Sequence, residues 1–239
     1  MKRIMLNQKS GMSYSDIKTY VTDLKVYQNR FQIFPSSIYI EQFVSSGYNV
    51  GIQNIAELSV GNQTGEITAS QAKSCGVKST IIGHSERRIN QKEDSNILIN
   101  KFNEAINSKL NIIYCVGESL VDYKLKNTSS YIYSELNDVI GKVKIPKNID
   151  LCIAYEPIWA IGSGLTPTNY EISEVTKLID DYLNKNNIKA DVLYGGSVNE
   201  KNIDELLKIE NLDGFLIGGA SNHSDKVIKI CESAINSTK

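Results

Sequence analysis

The sequence predicts an α/β protein, a single-domain barrel of eight parallel strands that spans residues 1–239. Eight short apolar runs alternate with segments of helical periodicity, which is typical of a parallel sheet covered by helices. A length of 239 residues is one that barrels of eight strand–helix units commonly reach as one domain. No Pro- or Ser-rich linker and no low-complexity tract divides the chain.

The predicted strands are short apolar runs, as fully buried parallel strands require. They cover residues 3–7, 31–34, 49–53, 79–83, 112–116, 151–156, 191–194 and 214–217. The clearest helical segments cover residues 15–27, 93–107, 129–143, 171–187 and 225–234. Thr168 and Glu171 form a T-x-x-E pattern, which predicts a capping box at the start of the helix after the sixth strand.

Composition argues against several classes of protein. Hydrophobic residues make up 41% and charged residues 22%, which is ordinary for a chain with a sizeable core. The net charge of −1 gives no electrostatic footprint for nucleic acid or an anionic membrane, so we expect neither partner. No apolar run reaches transmembrane length and none resembles a signal peptide, so we expect a cytoplasmic protein.

The cysteines and histidines do not predict a metal site. The four cysteines have no metal-ligand spacing, and two of them, Cys115 and Cys152, lie inside apolar strand runs as small buried hydrophobes. Two histidines are too few for a multi-histidine site. We therefore expect reduced thiols and no metal.

In such a barrel the active site forms from loops that follow the strands' carboxyl ends. Lys9 follows the first strand, where its ammonium can bind a phosphate or stabilise a developing oxyanion. His84 follows the fourth strand at a possible helix start, whose partial positive charge keeps an imidazole neutral. Taken singly, a solvated lysine and a buried structural histidine fit the same pattern.

The sixth strand ends on a carboxylate, Glu156, and Pro157 then stops the strand ladder. The segment 157–167 carries Trp159, Ile161 and two glycines between two prolines. This arrangement is typical of a base beneath a lid. A strand end with a packed tryptophan is the alternative interpretation.

Glycine pairs follow the seventh and eighth strands, where barrels commonly bind phosphate. Gly195 and Gly196 precede Ser197, and Gly218 and Gly219 follow the last strand. Glycines let backbone N–H groups approach an anion, and a helix start behind each pair favours negative charge. The two pairs together predict an anion site.

Seven motifs resemble the triosephosphate isomerase family along the whole chain. They are N-x-K at 7–9, T-G-E-I at 64–67, G-H-S-E-R-R at 83–88, C-V-G-E at 115–118, A-Y-E-P-I-W-A-I-G-S-G at 154–164, Y-G-G-S-V at 194–198 and D-G-F-L-I-G-G-A-S at 213–221. The resemblance implies a TIM barrel that interconverts dihydroxyacetone phosphate and glyceraldehyde 3-phosphate through an enediolate, without a cofactor.

The resemblance also implies roles for individual residues. Glu156 removes the proton next to the carbonyl, while neutral His84 and Lys9 stabilise the oxygen on which charge develops. Asn7 orients Lys9 and the substrate, and Glu86 pairs with Lys9. The further substrate-binding residues it implies are Gly162, Ser197, Gly218 and Gly219. In the closed lid, Ile161 faces Leu216 and excludes water.

The segment 54–66 is about twice the usual length of a loop between strand and helix. By itself it is compatible with a surface insertion. The resemblance implies a homodimer in which Thr64 reaches Asn7 and Glu86 of the partner subunit.

The chain departs from the family at Gln8 (usually Trp), Ser10-Gly11 (usually Met-Asn), Tyr123 (often Arg) and Leu165 (often Lys). We expect these changes to alter the packing of the first loop and the closing of the lid. A different phosphosugar isomerase or epimerase and a non-catalytic binding protein are the alternatives. Neither explains why Lys9, His84 and Glu156 occur together.

Overall fold

The computed structural model describes residues 1–59, 61, 63–160 and 165–237. Its strands are β1 (Arg3–Asn7), β2 (Gln32–Phe34), β3 (Gly51–Ile52), β4 (Ser79–Ile82), β5 (Asn111–Val116), β6 (Leu151–Tyr155), β7 (Asp191–Tyr194) and β8 (Gly214–Ile217). The α-helices of the described residues are α1 (Tyr14–Asp23), α2 (Ile40–Ser45), α3 (Ala69–Ser74), α4 (Ser85–Asn90), α5 (Ser95–Asn107), α6 (Leu120–Lys124), α7 (Thr128–Val139), α8 (Asn169–Lys185), α9 (Ile203–Leu206) and α10 (Ser224–Asn236).

The strands form one parallel sheet in the order β2-β1-β8-β7-β6-β5-β4-β3. A single parallel bridge between Ile33 and Val50 joins the two ends of that order, next to a hydrogen bond of 2.9 Å from Ile33 N to Asn49 O. The sheet therefore closes on itself, and the predicted single-domain barrel is confirmed.

Most differences from the predicted elements lie at element ends. The third strand is shorter than predicted, and the sixth strand ends one residue before Glu156. The N–H of Glu156 still donates to the carbonyl oxygen of Val116 in β5 over 2.8 Å. The predicted helices 15–27 and 129–143 each break into an α-helix and a terminal 3₁₀ turn, at Lys25–Tyr27 and Ile140–Lys142. Hydrophobic periodicity does not distinguish these two helix types at a helix end.

Apolar side chains fill the barrel interior and the layer between strands and helices. The interior cluster comprises Met5, Phe34, Ile81, Ile113, Cys115, Cys152, Ala154, Leu193 and Leu216. Gly51 makes room for the Phe34 ring in this interior, because a Cβ at position 51 would lie 2.2 Å from that ring. Of the cysteines, Cys75 is exposed, the other three are buried, and all four are free.

Capping boxes fix the starts of three helices, where the loops that follow the strands end. Thr168 and Glu171 form the predicted capping box of α8, and similar boxes begin α1 and α3. Because all eight strands are parallel, the residues that follow them meet at one rim. None of the helices in the described part of the chain is long and apolar enough to cross a membrane.

Candidate active site

Lys9 leaves β1 in a left-handed conformation, with φ 51°. Its N–H donates to Asn7 Oδ1 over 3.2 Å, and Gln53 donates to its carbonyl oxygen over 2.8 Å. Its ammonium forms an ion pair with Glu86. A Cβ on Gly218 would be 3.8 Å from Lys9 Nζ, so the ammonium also lies beside the loop after β8. The backbone around Lys9 thus directs its charge over the barrel mouth.

His84 is the residue that caps α4. Its Nδ1 accepts a hydrogen bond of 3.3 Å from the Glu86 N–H. A ring nitrogen that accepts a hydrogen bond carries no proton, so this geometry is that of a neutral imidazole protonated at Nε2. Nε2 lies 3.2 Å from Glu156 Oε1. The ring is therefore a neutral donor that points into the site.

Glu156 is only 2% exposed, although a carboxylate is rarely buried without partners. Its Oε2 accepts a hydrogen bond of 3.0 Å from the Ser85 N–H, and its Oε1 faces His84. Gly195 leaves room for it, because a Cβ at that position would come within 2.9 Å of Glu156 Cγ. The Ser85 N–H holds the carboxylate at the amino end of α4, with His84 Nε2 beside it.

Cys115 has a feature that the sequence did not indicate. It is fully buried, as predicted, but its thiol also interacts with the Glu156 carboxylate. Burial, and after it the charge of Glu156, raises the pKa of this thiol well above its usual range. The thiol therefore stays protonated beside the carboxylate.

Behind the site, a largely buried ion pair joins the ends of β4 and β5. Arg88 donates to the carbonyl oxygens of Gly83 and Cys115 over 2.7 and 3.0 Å, and its Nη1 lies 3.2 Å from Glu135 Oε1. The other oxygen of Glu135 accepts the Gly117 N–H over 2.8 Å. No local sequence pattern indicates this pair, because Glu135 lies far along the chain on α7.

The lid segment is described only at its two ends. Trp159 is buried and donates through Nε1 to Glu118 Oε1 over 2.8 Å. The predicted residues Ile161 and Gly162 lie outside the described residues. Leu216, which Ile161 was expected to face, is 3% exposed and belongs to the interior apolar cluster.

The glycine loops leave open backbone where an anion was predicted. A Cβ on Gly196 would lie 2.2 Å from the Tyr194 hydroxyl oxygen, so the turn before Ser197 requires glycine. Asn202 donates to the Ser197 carbonyl oxygen over 2.7 Å and fixes that turn. A Cβ on Gly219 would meet no atom within 4 Å, so its backbone faces open space.

Thr64 is exposed in the long loop after β3, whereas the Asn7 side chain is buried. Two residues of the same loop, Val60 and Asn62, lie outside the described residues. The loop adjoins a cavity of about 400 Å³, whose lining includes Asn7, Lys9, Gln53, Gly65, Glu66, His84 and Glu86. The cavity thus connects the charged residues of the site with the base of the loop.

A buried carboxylate, a neutral imidazole and an ammonium therefore meet at the carboxyl end of a parallel barrel, near glycine turns suited to an anion. This combination defines a barrel enzyme that can move a proton next to a carbonyl group.

A family model described as triosephosphate isomerase matches residues 2–234. A protein named triosephosphate isomerase from Pseudoalteromonas translucida is 36% identical over 90% of this chain and 88% of its own length. One from Mesomycoplasma hyopneumoniae is 36% identical over 96% and 98%, and one from Malacoplasma penetrans is 32% identical over 97% and 98%. The chain belongs to the triosephosphate isomerase family, and it is an isomerase.

Proposed function

We propose that Glu156, His84 and Lys9 carry out the interconversion of dihydroxyacetone phosphate and D-glyceraldehyde 3-phosphate. Glu156 takes the proton from the carbon next to the substrate carbonyl and gives an enediolate. The Nε2–H of His84 and the ammonium of Lys9 donate to the oxygen on which negative charge develops, while Asn7 holds the Lys9 backbone. The distance of 3.2 Å between His84 Nε2 and Glu156 Oε1 is the observation that carries this proposal.

The position of Glu156 indicates where the substrate carbonyl binds. Its Oε2 accepts the Ser85 N–H, and its Oε1 lies 3.2 Å from His84 Nε2. A substrate carbonyl that accepts the His84 Nε2–H would lie beside Glu156 Oε1. Binding therefore brings the substrate to the base and to its hydrogen-bond donor in the same step.

The phosphate of the substrate binds to backbone amides in this proposal. Ser197, Gly218 and Gly219 provide them from the loops after β7 and β8, and Gly162 adds one from the lid. The open backbone at Gly219 and the nearby Lys9 ammonium support an anion at this place. Ile161 closes against Leu216, keeps water from the enediolate and so prevents loss of phosphate to give methylglyoxal.

The test is isomerase turnover of the purified protein in a coupled assay, with Glu156→Gln as the variant and His84→Gln as a second. Glu156→Gln removes the base and should lower kcat by about 10² to 10⁴-fold. His84→Gln weakens only the stabilisation of the oxygen and should cost about 10² to 10³-fold. Near-normal turnover of Glu156→Gln would exclude Glu156 as the base.

We further propose that the active form is a homodimer acting in the cytoplasm. The exposed Thr64 loop and the site share one cavity, which a second subunit's loop can enter and so hold Lys9 and His84. Each subunit has its own catalytic residues, and the partner holds them rigidly in place. A displacement of a catalytic group by about 1 Å can lower the rate roughly 10²-fold.

Thr64→Arg tests the dimer, since it buries an unpaired charge in the proposed interface. Light scattering should give a monomer with much reduced turnover. A matched variant at the exposed Tyr170, Tyr170→Phe, should leave both unchanged. A Thr64→Arg protein that remains a fully active dimer, or a fully active wild-type monomer, would contradict the proposal.

A further inference from the structure

One side chain, Tyr123 on α6, contacts a residue near each end of the lid. At the first end, its ring stacks on Trp159, with the ring centroids 4.0 Å apart and the planes 19° from parallel. At the second end, its hydroxyl donates to Glu171 Oε1 over 2.7 Å. Trp159 lies three residues after Glu156, and Glu171 lies four residues beyond the last lid residue, Pro167.

Both contacts of Tyr123 are themselves anchored. Trp159 donates to Glu118, a fully buried carboxylate that also accepts the Tyr155 hydroxyl over 3.1 Å. Glu171 divides its two oxygens, because Oε2 accepts the N–H and hydroxyl of Thr168, each over 2.8 Å, and Oε1 accepts Tyr123. The hydrogen bond from the Thr168 backbone lowers the pKa of Glu171, so the carboxylate stays charged and able to accept.

We infer that Tyr123 is a positioning residue of the isomerase reaction, which fixes the spacing between the two ends of the lid. We call Tyr123, Trp159 and Glu171 the lid bracket. With both contacts in place, Trp159 and Glu171 keep fixed positions relative to each other. The inference rests on the lid role proposed above for residues 157–167.

A positioning role of Tyr123 predicts a different result from a purely structural role. If the ends of the lid separate, closure over the enediolate becomes incomplete, and the intermediate can lose phosphate by cleavage of its C–O bond. The product of that loss is methylglyoxal with inorganic phosphate. The ratio of methylglyoxal to isomerised product therefore reports the bracket, whereas a packing defect lowers stability and leaves the ratio unchanged.

Tyr123→Leu removes the stack and the hydroxyl, and Tyr123→Phe removes the hydroxyl alone. Tyr170→Phe is the control, since Tyr170 lines the same cavity as Tyr123 and is 72% exposed. Trp159 is the only tryptophan of the chain, so its emission under selective excitation reports this end of the lid directly. Emission is recorded with and without glycerol 3-phosphate, a substrate analogue that has no carbonyl.

We expect Tyr123→Leu to shift Trp159 emission to the red, to lower kcat about 10-fold and to raise the methylglyoxal ratio several-fold. Tyr123→Phe should keep the emission and raise the ratio less, while Tyr170→Phe should match the wild type. An unchanged ratio in both Tyr123 variants, with normal wild-type turnover, overturns the bracket. If Tyr123→Leu does not fold, the Tyr123→Phe ratio decides alone, and a wild type without isomerase turnover would instead overturn the proposed function.

Discussion

Two ion pairs flank the active site and differ in what surrounds them. Lys9 and Glu86 are 34% and 47% exposed, and the ammonium faces the cavity. Arg88 and Glu135 are 18% and 11% exposed, and the guanidinium also binds two backbone carbonyl groups. An exposed pair contributes little stability and can exchange partners, whereas a buried pair cannot lose one partner cheaply. The first pair is therefore suited to binding substrate and the second to holding the strand ends.

The buried pair should show the largest effect on stability. Arg88→Leu leaves Glu135 buried without its cation and should lower the free energy of unfolding by about 3–5 kcal/mol, as measured by chemical denaturation. Lys208→Met, which breaks the exposed pair with Glu205, should cost less than about 1 kcal/mol. Replacing both Arg88 and Glu135 by leucine should recover part of the loss. Equal losses in the single and double variants would contradict this role.

The exposed pair should show the opposite pattern. Lys9→Met removes the ammonium from the developing oxyanion and should lower kcat by about 10² to 10³-fold. Its free energy of unfolding should stay within about 1 kcal/mol of the wild type, because the pair is solvated. Denaturation and turnover of the same preparation provide the measurement, again with Lys208→Met as control. A large loss of stability would show that the two pairs do not differ as described.

The smallest expected effect is on the free energy of unfolding and comes from Asp180, a carboxylate close to other carboxylates. Burial, with the charges of Asp213 and Asp181, raises the pKa of Asp180 to about 6 from 3.8. Because the folded chain binds this proton more tightly than the unfolded chain, stability is lost as the pH rises from about 4 to about 6. Asp180→Asn should therefore be more stable than wild type at pH 7, by less than about 1 kcal/mol because solvent screens the group.

Denaturation curves at pH 4 and pH 7 test this expectation. The difference between Asp180→Asn and the wild type should disappear near pH 4. An equal difference at both pH values would mean that ionisation of Asp180 is not its cause.

The sequence predicted the barrel because each strand has a recognisable local pattern of apolar residues. Buried strands read as apolar runs, and the predicted bounds of β1, β7 and β8 agree with the structure at both ends. His84 and Glu156 were identified because each directly follows such a run. Their distance of 3.2 Å, in contrast, depends on how β4 and β6 are placed around the barrel, which no spacing along the chain encodes.

The contacts that the sequence did not predict join distant parts of the chain. Glu135 meets Arg88 from α7, and Tyr123 meets Trp159 from α6. Both pairs depend on the angle at which a helix packs against the barrel. The thiol of Cys115 was correctly predicted to be buried, but its contact with Glu156 depends on which way two neighbouring strands face.

The closing bridge between Ile33 and Val50 has a consequence for how the molecule opens. It is a single bridge between β2, which has three residues, and the residue before β3, which has two, whereas β5 and β6 are paired over five positions. Local opening of a closed sheet begins where the fewest hydrogen bonds resist it, so amide exchange should be fastest at this seam. The loop that carries Thr64 follows β3, next to which Val50 lies. A second subunit seated there would slow exchange at Ile33, and protein concentration would then set how often the barrel opens.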